Sequence, residues 1–406
     1  MNVIDSDVIV CGGGTAGLPA AVAAAREGAS VCVVEEDAQI GGAAVDQYIQ
    51  SFCGHPVQGI YRELVEKMDA LAPENKLPNA FRASSYVMAY LDMMRDLPVK
   101  ICTRQKLIKA VTENGKIVTV ESDDCRYKGR VFIDATGDGH VAAMAGCPFR
   151  FGREAAEEFD EEFAPEKADG LVQRCTLMYT VRRRPDAGHS KHGNEIAYFN
   201  EDESLIWGPT VFCENPSEEG VLAAAQMEAL SKMPGEYARW AEKGFYITSV
   251  APKIGVRESR RIEGLYMLSY HDIKDEHTFE DSVCVVNYNI DPWDPTGNPV
   301  HSAKDKKRTF MPYYEIPYRC LVNGTMQNLL VAGRCVSATH VANSSLRVMG
   351  IAIPLGQAAG TAAAMAVKTS CPAADIDVDR LRRKLRDAGV CVSLKEFENK
   401  GINPYE

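Results

Sequence analysis

"VCGGGTAGLPAA", residues 10–21, places three consecutive glycines and a fourth, Gly17, between a run of β-branched residues and an alanine-rich stretch. Upstream, "DSDVIVCGGG" reads as a short buried strand ending in glycine. Downstream, "AGLPAAVAAAREGA" reads as a small-residue helix closed by Gly28, and "SVCVVEED" as a second buried strand. The first forty residues therefore spell a parallel β-α-β unit. Within it, Gly12-x-Gly14-x-x-Gly17 falls on the strand-to-helix turn and Glu35 at the end of the second strand. One glycine makes the tight turn, another lets backbone approach a pyrophosphate, and the third packs helix on strand, while the helix N-terminus offers free N–H groups to phosphate. The predicted ligand is a dinucleotide. It is held by Gly12, Gly14, Thr15, Ala16 and Gly17, with Glu35, or Glu36 beside it, accepting hydrogen bonds from a ribose.

Further along, "QIGGAAVDQYIQSFCG" adds a second glycine pair, Gly41 and Gly42, followed by Ala43 and Ala44. "IDATGDGH" brings Ala135, Thr136 and Gly137 to the end of a buried strand, and "NLLVAGR" does the same with Gly333 and Arg334. Leu107, leading into a meander around the Asn114-Gly115 turn, is a further candidate contact. Several glycine-ended strands converging on one ligand suit an elongated cofactor, FAD better than NAD.

These motifs, with "IGVRESRRIEG" and "YEIPYRCLVNGTMQNLLVAGRCVSATHVANSSLRVMGIAIPLGQAAG", resemble the FAD-dependent oxidoreductases of the glutathione-reductase-like fold. The resemblance implies an FAD enzyme of the α/β class: a Rossmann-like FAD-binding domain with a parallel central sheet and β-meander, plus an inserted substrate domain of mixed or antiparallel sheet. The expected division is 1–150 and 318–375 for the cofactor domain, 151–317 for the insertion and 376–406 for a helical tail. Three positions depart from the family pattern: Val45 and Gln47 stand where a threonine and a glycine are common, and Ser344 replaces a small glycine.

Composition limits the function. The chain of 406 residues has 46% hydrophobic and 25% charged content and a formal net charge of -11, which disfavours nucleic acid and anionic membranes as partners. Thirteen cysteines without a Cys-x-x-Cys pair or zinc spacing read as a reduced, cytoplasmic chain with no metal site. The opening residues run straight into a strand pattern, unlike a secretory leader. The weakly charged stretch 348–367 reads as a buried helix, without membrane insertion. "GREAAEEFDEEFAPEKAD" reads as a solvated acidic helix face.

For chemistry, a flavin needs orientation and charge near its ring. Pro354 suits the first turn of a helix, which would aim the N–H groups of Gly356 and Gln357 at the ring. Arg257, in "GVRESRR", is the expected clamp for an anionic small-molecule substrate; a salt bridge to Glu258 or Glu263 is the competing reading. His340 and Arg347 flank the ring in the resembling motif, His340 as proton acceptor, and His55 beside Cys53 is a fourth catalytic candidate. Without a second Gly-x-Gly-x-x-Gly unit, the electron acceptor or donor is expected to be a separate molecule. A homo-oligomer is compatible with all of this. The alternative reading is a non-catalytic or regulatory flavoprotein, against which the intact phosphate-binding glycines argue.

Overall fold

The structure, a computed structural model of the chain, describes residues 1–54, 58–72, 80–186, 195–295 and 310–399. Its centre is a sheet built from β1 (Asn2–Cys11), β2 (Val31–Val34), β3 (Val99–Cys102), β4 (Lys109–Glu113), β5 (Lys116–Glu121) and β6 (Cys125–Asp134), in the order β3-β2-β1-β6-β5-β4. β3, β2, β1 and β6 run parallel, and a seventh strand, Leu329–Val331, joins β6 in parallel. β6 is ten residues long and serves two partners on that side: its first half pairs antiparallel with β5, its second half with Leu329–Val331. β4, β5 and the first half of β6 form the antiparallel meander. Ile101 and Cys102 belong to the parallel edge, and only β4 and β5 form the hairpin, whose Asn114 and Gly115 both take the positive φ (50° and 71°) of a two-residue turn.

Val8–Cys11 and Val31–Val34 are buried on both faces, the continuous apolar pattern of parallel strands covered by helices. The covering helix α1 (Gly17–Arg26) packs against the long helix Met349–Thr369. Small residues make this contact: a Cβ on Gly356 would lie 2.1 Å from the Ala16 carbonyl oxygen, and one on Gly360 2.1 Å from that of Ala20. Both pairs repeat at i, i+4, one face of each helix. Although Met349–Thr369 is long and apolar enough to span a membrane, Met349 through Val367 are all buried, and the helix is the spine of this core.

A separate antiparallel sheet holds Glu195–Tyr198, Glu203–Ile206, Tyr179–Arg183 and Phe245–Val250, in that order, over two smaller apolar clusters. Residues from Ile262 to Ile290 and from Met311 to Val322 share the core of the parallel sheet.

Candidate functional site

A cavity of about 570 Å³ opens where the parallel strands end, lined by Val34 at the end of β2, Gly12 after β1, Ala135 after β6 and Ala332 after the seventh strand. The carboxyl edge of a parallel sheet is where such folds bind ligands. Fourteen predicted cofactor residues line it: Gly12, Gly14, Thr15, Ala16, Glu35, Glu36, Gly42, Ala43, Leu107, Ala135, Thr136, Gly137, Gly333 and Arg334. Asp134, fully buried, shapes the floor: Oδ1 accepts from the Thr136 N–H and hydroxyl, and Oδ2 from the Ala142 N–H.

At one end glycine backbones line the cavity: a Cβ on Gly14 would meet nothing nearer than Gly42 Cα at 3.7 Å, whereas Gly12 and Gly42 have no room for one. A Cβ on Gly42 would stand 2.8 Å from Gly14 Cα, and one on Gly12 2.5 Å from the Ala135 carbonyl oxygen. The bare strip formed by Gly12, Gly14 and Gly42, beside the first turn of α1, therefore fits a diphosphate. Glu35 accepts from Gly13 N–H at 2.7 Å and Asp37 N–H at 2.9 Å. Burial pushes its carboxyl up, and the two N–H bonds only partly offset this. Glu36 instead pairs with Lys253 Nζ at 3.0 Å, which also reaches Asp37 at 2.5 Å, and the Lys253 N–H donates to the Asp46 carbonyl. Asp46 faces this acidic end with a buried Oδ2 that has no hydrogen-bond partner among the described residues, and burial, with Asp37 and Glu35 nearby, raises it to about 7.

Five predicted cofactor residues lie behind the wall. Gly17 packs under Gly12, Gly41 donates its N–H to the Gly13 carbonyl, and Ala44 is core. Gly356 and Gln357 are corrected outright: the helix begins at Met349, so Pro354 sits inside it and their N–H groups face the helix interior. Gln357 Oε1 accepts from Ile60 N–H at 2.9 Å, fixing the start of Gly59–Leu71. The residues that bring this helix's N-terminus to the cavity are Val348 and Met349.

At the other end Arg257 and Arg347 line the cavity with Trp207, Tyr288, Asp291 and Cys53. Arg257 is 7% exposed; its Nη1 donates to the Arg174 carbonyl (2.6 Å) and Thr176 Oγ1 (2.8 Å), and its guanidinium lies 3.9 Å from the Trp293 ring centroid. No carboxylate of the described residues bridges it. The expected competitor, an ion pair to Glu258 or Glu263, is absent among them because Glu258 is taken by Arg261 and His340, and Glu263 faces Arg150. Burial and the Arg347 guanidinium push Arg257 down to about 9, the mark of a buried cation short of a counter-charge that stays protonated at neutral pH. Arg347 is tied to Asp291 Oδ2 at 3.1 Å and Gln173 Oε1 at 3.2 Å. Ser344, the departure from the family pattern, accepts the Asp291 N–H at 3.1 Å and so holds this acid in place.

His340 does not reach the cavity. It is 2% exposed, and its Nδ1 donates to Glu258 Oε1 at 2.9 Å. Glu258 is fully buried; burial raises its carboxyl, but His340 and Arg261 outweigh that and hold it below the usual range. The acidic run is no solvated helix face either. Only Ala156–Phe159 is helical, and Glu154 and Glu161 turn inward, Glu154 accepting from Arg261 and the His340 N–H, Glu161 from the Tyr270 N–H and Thr339. His55 lies outside the described residues. Asp291, Gln173 and Lys253 escaped the sequence reading because each is a lone polar residue in an unremarkable loop; only the Pro-flanked "DPWDP" hinted at a fixed turn.

A profile describing FAD dependent oxidoreductases matches residues 7–229 and 220–385. Comparison with curated proteins finds no match at this level. Among solved structures, a geranylgeranyl bacteriochlorophyll reductase-like protein from Thermoplasma acidophilum aligns over 95% of this chain and 83% of its own, with 12% identity and a TM-score of 0.50. The OxyS anhydrotetracycline hydroxylase from Streptomyces rimosus (15% identity, 95% and 65% covered, TM-score 0.43) and the myxobacterial chondrochloren halogenase (14%, 96% and 79%, TM-score 0.44) are also similar. At such identities the first of these speaks for the fold alone.

Proposed function

The chain belongs to the FAD-dependent oxidoreductase family, and from that premise we propose that it transfers a hydride between FAD and a small organic anion bound by Arg257. FAD is the cofactor; when bound, it supplies the two-electron chemistry. Gly12, Gly14 and Gly42 accommodate its diphosphate and Glu35 its ribose, as the bare backbone and the buried carboxylate support.

The observation that carries the substrate reading is Arg257 itself: a cation 7% exposed, in the cavity wall, with no carboxylate partner among the described residues. Its Nη1 is committed, which leaves the Nε and Nη2 edge, a fork that matches a carboxylate. Asp291, anchored by Arg347 and Trp293, stands in the same space and accepts the proton that an adjacent O–H, N–H or C–H bond of the substrate releases as its neighbouring C–H bond gives up the hydride. His340 acts at a distance, holding Glu258 behind the arginine segment. Electrons pass to or from a separate carrier, and thirteen free cysteines suit a reducing compartment such as the cytoplasm.

The test is anaerobic reduction of the bound flavin by a panel of small carboxylates, with Arg257→Gln and Arg257→Lys in parallel. At least one compound should bleach the wild-type flavin, and neither variant should respond at comparable concentration, because lysine keeps the charge without the planar fork. Wild-type rates in both variants would refute the role of Arg257.

A further inference from the structure

The arginine end of the cavity has two indoles, and they are not equivalent. Trp293 is committed on both counts that matter: its Nε1 donates to Asp291 Oδ2 at 3.2 Å, and its ring face is covered by the Arg257 guanidinium at 3.9 Å. Trp207 is 39% exposed, lines the cavity, and meets Trp293 only obliquely, at 5.5 Å between centroids and 49° between planes. The Arg257 guanidinium also lies over its ring, but at 5.3 Å from the centroid against 3.9 Å for Trp293, so Trp207 is the less closely covered of the two. A large aromatic surface next to an anion clamp costs apolar exposure unless a ligand covers it.

Resting on the Arg257 reading above, we infer that Trp207 is the specificity-determining residue of this site and that the substrate is a monocarboxylate carrying a ring. The carboxylate docks on the free edge of Arg257, and the ring next to it lies on the indole of Trp207. One anionic group is the limit, because the second guanidinium, Arg347, is already neutralised by Asp291, and that carboxylate repels a second negative charge. Aromatic rings and sugar rings both stack on indole, so the shared chemistry is a ring adjoining a carboxylate.

The experiment is calorimetric titration of the FAD-loaded protein with acetate, benzoate and glucuronate, repeated for Trp207→Leu, Trp207→Phe and Arg257→Gln. Wild type should bind benzoate, glucuronate or both at least roughly tenfold more tightly than acetate, the worth of a stacked and buried ring. Which of the two gains identifies an aromatic or a sugar acid. Trp207→Leu should reduce that preference to within about twofold, Trp207→Phe should keep most of it for benzoate, and Arg257→Gln should lose every acid. Equal binding of acetate and both ring acids, or a preference that survives in Trp207→Leu, overturns the inference and leaves Arg257 standing if Arg257→Gln still loses binding. If wild type binds none of the three, the Arg257 reading falls and this one with it.

Discussion

Gly17 and Gly14 sit three residues apart on the same turn, yet the structure assigns them opposite sensitivities. A Cβ on Gly17 would lie 1.8 Å from the Gly12 carbonyl oxygen, where an ordinary contact begins at 3.4 Å. Gly12 cannot retreat: its N–H is bonded to the Val34 carbonyl at 2.8 Å, and the Ala135 backbone blocks its other side. Gly17→Ala must therefore pry the turn off the sheet, an overpacking cost of about 1–3 kcal/mol. For a chain of this length that is a drop of about 1–4 °C in the melting temperature of the FAD-free protein. Gly14→Ala meets nothing nearer than Gly42 Cα at 3.7 Å, so the FAD-free protein should melt within about 1 °C of wild type. Its methyl group instead occupies the strip left for the diphosphate, and FAD binding should weaken. Scanning fluorimetry of the stripped proteins and FAD titration followed by flavin fluorescence separate the two effects. A Gly17→Ala protein with wild-type melting and wild-type FAD affinity would refute the packing argument, as would a Gly14→Ala protein that is destabilised yet binds FAD normally.

Asp46, raised to about 7 against an ordinary 3.8, binds its proton more tightly in the folded chain. Its contribution to stability is fully present below about pH 4 and is lost as pH rises towards 7, so Asp46→Asn should melt above wild type at pH 8 and lose that advantage at pH 4; parallel curves across this range would contradict it. Glu258→Gln removes the charge facing His340 and Arg261 in a fully buried network and should cost about 3 kcal/mol in urea unfolding, with Gly-loop FAD affinity unchanged because Glu258 is outside the cavity wall. A variant as stable as wild type would show the network to be dispensable.

Much of the cofactor half was legible because its physics is local. A diphosphate needs missing Cβ atoms at fixed spacings, and Gly12, Gly14, Gly17 and Glu35 announce that within 24 residues of sequence. The small-residue contact between α1 and Met349–Thr369 was half legible. The alanines and glycines were visible, but Pro354 invited a helix start that the chain places five residues earlier at Met349. The substrate end was not legible in the same way. Arg257 could be singled out, but whether Glu258 or a ligand balances it depends on where Arg261 and His340 lie, residues brought together only by tertiary packing. The acidic run misled for a similar reason: Glu154 and Glu161 look like any surface glutamates until the buried N–H groups of His340 and Tyr270 are seen to point at them.

The central claim is that the glycine-lined end of the cavity holds FAD, and its most direct test is the identity and amount of nucleotide released from the purified protein after saturation with FAD and removal of the excess. One FAD per wild-type chain is expected, with a marked loss in Gly14→Val, whose side chain occupies the diphosphate strip. A wild-type chain that retains no flavin, or a Gly14→Val chain that retains a full equivalent, would contradict the account.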